Sequence, residues 1–153
     1  MELVTNNGTK KHKHHIIELI KSSDRIIISS GWMKMDGLKK LKICLDIAVK
    51  NNAKITIYSD HQNTKDGVRE FLNTYKTIEH IITKKNETLH SKIYYFEQEK
   101  SFTTLIGSAN ITHGGLYSSD ELSVKITGLI GDKNYLSIWK YLSDLSVKYQ
   151  KHD

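Results

Sequence analysis

The stretch DRIIISSGW, residues 24–32, constrains the fold more than any other part of the chain. Three successive isoleucines leave no polar face, so the run reads as a strand buried on both sides and closed by a turn at Gly31. Its neighbours alternate in kind. Residues 10–22, KKHKHHIIELIKS, set Ile16, Ile17, Leu19 and Ile20 in a stripe behind a basic lead-in and read as a helix. Residues 36–52 carry Leu38, Leu41, Leu45, Ala48 and Val49 at helical spacing, with Asp36 as the expected N-cap. AKITIYS (53–59) alternates as a strand, 64–75 reads as a shorter helix, and 77–83 as a third strand.

The second half changes character. Residues 91–97, 102–108 and 121–128 are strand-like, and too little chain separates the first two for anything but a hairpin. The chain then enters a helix over 134–150, where Leu136, Trp139, Tyr141, Leu142 and Leu145 can line one broad face, placing Trp139 in the core or at a subunit interface. The expected class is α/β: a single domain over residues 1–153 with a mixed β-sheet flanked by helices. At 153 residues the chain is long enough to bury a real core.

Composition narrows the partners. No apolar run approaches the roughly 20 residues that cross a bilayer, and the first fifteen residues lack the apolar centre of a signal peptide. A cytoplasmic protein with no membrane partner is expected. The single cysteine, Cys44, lies within an apolar helical pattern and reads as a buried thiol. A net charge of +6 and a pI near 9.2 admit a polyanionic partner. That signal is diluted, since 21 Lys against 2 Arg, with no Pro, describes a bias of the whole chain. In KKHKHH, His14 and His15 are adjacent with no Cys or Asp at ligand spacing, so the segment reads as a solvated helix start rather than a zinc site.

Two motifs carry chemistry. In HSKIYYFE (90–97) strand alternation puts His90, Lys92, Tyr94 and Phe96 on one face, so an apolar face opens with two basic groups. Downstream, GSAN (107–110) ends an apolar strand and leads into a turn containing Gly114 and Gly115. Small residues at a strand's carboxyl end let a ligand approach closely, and Ser108 and Asn110 can both hydrogen-bond an oxyanion. Glu121 follows at the next strand. Trp32 and Lys34 sit past the end of the first strand, the edge at which α/β sheets bind ligands.

Together these residues resemble the phospholipase D superfamily, whose signature is His-x-Lys, an acid five residues on, and Gly-Ser-x-Asn. Here HSK stands at 90–92, Glu97 in place of the Asp, and GSAN at 107–110. Thr112, Gly115 and Leu116 match the extended form found in compact bacterial nucleases and restriction-endonuclease domains of the superfamily. Glu121 matches the carboxylate that pairs with the catalytic histidine there. The chain departs from the pattern in Glu97 and in a longer interval before GSAN, and Glu97 is left outside the catalytic set.

The resemblance implies a phospholipase D-like fold and a metal-independent phosphodiesterase that needs no cofactor. His90 would be the nucleophile and Glu121 its orienting partner, while Lys92, Ser108 and Asn110 would stabilise phosphoryl charge. Trp32, Lys34 and Thr112 would contact substrate. A chain with one motif supplies one histidine, so the resemblance implies a homodimer with the site on its two-fold axis. The implied partner is nucleic acid, DNA rather than RNA, with base recognition supplied by a separate subunit or domain. The alternatives are a phospholipid hydrolase or phosphatidyltransferase using the same histidine, and a non-catalytic nucleic-acid-binding module.

Overall fold

The computed structural model of the chain describes residues 1–151. Its strands are β1 (Glu2–Thr5), β2 (Arg25–Ser30), β3 (Lys54–Ser59), β4 (Ile78–Ile82), β5 (Lys92–Gln98), β6 (Ser101–Gly107) and β7 (Leu122–Leu129). The helices are α1 (His12–Ser22), α2 (Met35–Lys50), α3 (Val68–Asn73) and α4 (Lys133–Lys148), with a π-helical turn at Gly114–Ser118. All seven strands join one mixed sheet in the order β1-β7-β6-β5-β2-β3-β4. The strands β2, β3 and β4 run parallel, joined by the crossovers through α2 and α3 that parallel neighbours require, and the remaining pairings are antiparallel.

Strand β2 is buried on both faces. Ile26 and Ile28 pack with Ile55, Ile57, Tyr94, Phe96 and Leu105 beneath α1 and α2. Ile27 faces the other way, into a layer with Ile93, Tyr95 and Phe102 beneath Ile138, Leu142 and Leu145 of α4. Each such side chain contributes roughly 1.5–3 kcal/mol on leaving water. Because β5 runs against β2, its first residues meet the end of β2: Lys92 pairs with Ser30. The HSK motif therefore lies at the end of the sheet where the parallel strands finish.

Several local expectations are corrected. The edge strand β1 was not anticipated; it pairs with β7 and buries only Val4. The helix expected over 64–75 begins only at Val68, because Gly67 adopts φ 86° and Thr64 bridges to Met33. Asp36 does not cap α2; its carboxylate accepts the His113 backbone N–H at 3.0 Å instead. On α4, Leu136 and Tyr141 are exposed, and Ile138 takes the buried position. The basic lead-in is not wholly solvated: His12 and His15 are buried. His12 bridges Asn6 Oδ1 and Ser123 Oγ, each at 2.9 Å, and so ties α1 to β7. Cys44 is buried, as its pattern implied.

Candidate active site

The site is assembled where β2, β5, β6 and β7 come together at one end of the sheet. Tyr94 and Phe96 continue the Lys92 face into the core, and the Tyr94 hydroxyl donates to Ala109 O at 2.8 Å, fixing the GSAN turn against β5. At Gly107 a Cβ would lie 2.2 Å from Leu122 O and 2.4 Å from Ser123 Oγ. Glycine is therefore required there for β7 to close on the motif strand. One step past the Ile93–Ile106 pair of the β5–β6 register, Lys92 stands opposite this glycine.

Asn110 is fixed by the turn after β2. Its Oδ1 accepts the Trp32 backbone N–H at 2.9 Å, which leaves its Nδ2 as a donor for a ligand. Ser30 reinforces the junction: its Oγ accepts the Ile111 N–H at 2.9 Å and donates to Trp32 O. Lys34 N–H donates to Ile111 O at 3.0 Å while its side chain is exposed. The Trp32 ring is 40% exposed, with the Lys65 ammonium 4.6 Å from its centroid, so a cation and an aromatic surface flank the turn together.

Glu121 lies one residue before β7 and accepts a hydrogen bond from the Ser108 hydroxyl at 2.6 Å. Lys92 and Glu121 sense each other: burial holds the lysine below its ordinary value, and the glutamate charge opposes that shift. Burial raises the Tyr94 phenol strongly, with Glu121 adding to the effect. His90 is exposed at the mouth. Among the described residues no hydrogen bond joins it to Glu121, and the exposed Ser108 hydroxyl donates to Glu121. Thr112 also has a local task, since its Oγ1 accepts the Gly115 N–H at 2.9 Å and shapes the π-turn. Glu97 sits at the far end of β5 and accepts the Tyr95 hydroxyl at 2.8 Å.

A model of the family described as the NgoFVII restriction endonuclease N-terminal PLD domain matches residues 4–149. The chain belongs to this family. Two solved structures share the fold of this NgoFVII-type domain over nearly their whole length. NucT from Helicobacter pylori aligns with a TM-score of 0.75 at 14% identity, covering 99% of this chain and 98% of that one. Nuc from Salmonella typhimurium, described as a phospholipase D family member, aligns at 0.74 and 14%, covering 99% and 96%. A phosphatidylserine synthase from Haemophilus influenzae aligns at 0.70 and 11%, covering 97% of this chain but 39% of that one. No curated protein matches. The fold is thus the phospholipase D fold. No helix among the described residues is long and apolar enough to cross a membrane.

Two residues of this NgoFVII-type domain that sequence reasoning missed support the site from beneath. Ser30, described above, had a signal: two serines interrupt an apolar strand just before its turn. Asp60 is the other. It is 2% exposed, and its Oδ1 accepts the Leu89 backbone N–H at 2.8 Å, while Oδ2 accepts from Gln62 N–H and Asn63 Nδ2 at 3.2 and 3.1 Å. It thereby holds the residue immediately before His90. Its signal was a carboxylate at the carboxyl end of a parallel strand.

Proposed function

We propose that the protein is a metal-independent nuclease that cleaves DNA through a phosphohistidine at His90, in a site shared by two subunits. The observation that carries this reading is the gathering of Lys92, the Asn110 amide and Glu121 beside the exposed His90 at one sheet edge. In the proposed step a neutral His90 nitrogen forms a bond to phosphorus, and the P–O bond to the leaving oxygen breaks. His90 of the partner subunit gives that oxygen its proton, then takes one from water as the water displaces the imidazole. Lys92 and the Asn110 Nδ2 offset charge on the non-bridging oxygens. Ser108, hydrogen-bonded to Glu121, acts by holding that carboxylate. Glu121 would reach His90 when the second subunit encloses the mouth. Trp32 and Lys34 flank the path of the strand, and Thr112 supports the turn.

A homodimer is supported by apolar surface beside the site. Ile106 is 38% and Tyr141 41% exposed, and they border a groove that includes His90, Lys92 and Gly107. Leu122 is exposed at the same end, on the α4 face by register. Burying such side chains while completing a two-histidine site would give one interface both tasks. Nucleic acid is favoured by cations beside the GSAN turn, where the Lys11, Lys13 and Lys40 ammonium groups lie 4.8, 4.6 and 5.5 Å from the Tyr117 ring centroid. The restriction-endonuclease description of the family favours DNA, and its description as an N-terminal domain favours base recognition by a different domain or subunit. The proposed location is the cytoplasm.

The test is to capture the intermediate. Labelled DNA mixed with excess protein in EDTA and quenched without acid should leave a covalent nucleotide adduct on the His90 peptide, and light scattering should report a dimer. Cleavage without any protein-bound label, or full activity in a monomer, would contradict the reading.

A further inference from the structure

A second concavity, which the mechanism above does not use, lies where β3 and β4 end. Its volume is about 360 Å³, and its lining includes His61, Arg69, His80, Lys84, Lys85 and Lys151. No carboxylate lines it among the described residues. The three ion pairs found among those residues involve Lys10, Lys42 and Lys140, none of them in this pocket. Glu87 turns its carboxylate to the Lys84 backbone N–H at 2.7 Å and forms no ion pair with either lysine. Four cationic side chains thus line one hollow with no carboxylate among the described residues lining it. Electrostatic self-repulsion of that kind is tolerated where an anion relieves it.

The floor is built rather than incidental. His80 is 7% exposed and bonds Ser59 Oγ at 2.8 Å. Burial first, then Arg69 and Lys151, depress its pKa to about 4, so the ring serves as a neutral hydrogen-bonding floor beneath the cations. The His61 N–H donates to Thr83 Oγ1 at 2.9 Å, and the adjacent Asp60 holds Leu89 beside the catalytic histidine. One short segment therefore braces both the pocket and the active site.

The sheet sets the distance between them. β4 stands three places from β5 along the order β5-β2-β3-β4, and three spacings of roughly 4.8 Å make about 14 Å. A single DNA strand covers that distance within a few nucleotides, so one strand can touch both sites. We propose that this pocket binds a backbone phosphate of the same DNA strand that enters the active site, a few nucleotides from the scissile bond. The inference rests on the nuclease reading for the identity of the strand.

The test uses binding, so that it does not depend on cleavage. H90A and H90A/R69A/K84Q/K85Q are compared on a labelled duplex by anisotropy across a salt series, with H90A/K39Q/K50Q/K133Q as a control of equal charge loss. Thermal melts confirm that each variant is folded; Arg69, Lys84 and Lys85 are all exposed, so the pocket variant should retain its fold. Losing one phosphate contact should reduce the slope of log affinity against log salt by about 1 and weaken binding about tenfold more than in the control. A pocket variant with the slope and affinity of the control would overturn the proposal. So would saturable binding of inorganic phosphate by the pocket with no change in duplex affinity, which would make it a site for a small phosphate. Absence of cleavage by the unmodified protein would contradict the nuclease reading instead, leaving the duplex affinities to decide the pocket.

Discussion

The Ser108 hydroxyl donates a hydrogen bond to the Glu121 carboxylate at 2.6 Å, and the Leu122 N–H donates to the same Ser108 oxygen at 3.0 Å. The second half of the motif is thereby locked to the start of β7. In the proposed mechanism Ser108 acts through Glu121. S108A should keep the fold and lower kcat about fivefold to tenfold, the effect of one charge-assisted hydrogen bond partly exposed to water. S108T should recover most of the loss. Equal KM and kcat in S108A and wild type would show that the bond has no catalytic consequence.

Asp60 to Asn tests the brace beneath His90. The amide presents a donor to one of three existing donors, so at least one buried N–H loses its acceptor, at a cost of about 1–3 kcal/mol. Cleavage should fall more than stability, since Leu89 is the residue before His90. The comparison is kcat measured well below the D60N melting temperature. Unchanged kcat with a lowered Tm would reduce Asp60 to a stabilising residue only.

G107A should destabilise the chain. With a Cβ placed 2.2 Å from the Leu122 carbonyl oxygen, backbone must move, and overpacking of this kind costs about 1–3 kcal/mol. A lower denaturant midpoint with an unchanged slope is expected, together with weakened activity, because the displaced strand begins beside Glu121. A midpoint equal to that of wild type would refute the close approach.

Stability should fall with acid in a defined window. His12 and His80 are buried, and desolvation is the main cause that brings each from the ordinary value of 6.5 to about 4. Their pKa values are lower folded than unfolded, so the unfolded chain takes up protons first as pH falls. The stabilisation is complete above about pH 6.5 and is lost on the way down to about pH 4, at up to about 1.4 kcal/mol per pH unit for each group. Melting curves should show Tm falling through this window, and H12Q should shallow the decline. A Tm independent of pH across it would contradict the buried, neutral assignment of both rings.

The parts of the molecule that were legible in the sequence are those governed by local periodicity. Ile26, Ile27 and Ile28 declared a strand covered on both sides, and the alternation set Lys92, Tyr94 and Phe96 along β5, whereas His90, expected on the same strand, lies two residues before it. Short motifs with fixed spacing identified the superfamily. What could not be read depends on partners distant in sequence. β1 buries one side chain and exists through its pairing with β7, more than a hundred residues away. Asp60 acts through a backbone N–H 29 positions later. Asp36, a sound N-cap by local rules, is diverted by the His113 N–H across the site. Leu136 and Tyr141 fit an apolar helical face, yet the face that packs on the sheet runs through Ile138, Leu142 and Leu145 and leaves both exposed.

The most direct measurement is DNA cleavage by wild-type protein and by H90A, both in EDTA. Cleavage by the wild type is expected, with a fall of about a thousandfold or more in H90A, the scale seen when a covalent nucleophile is removed. Cleavage by H90A at the wild-type rate, or cleavage by the wild type that EDTA abolishes, would contradict a metal-independent reaction through His90.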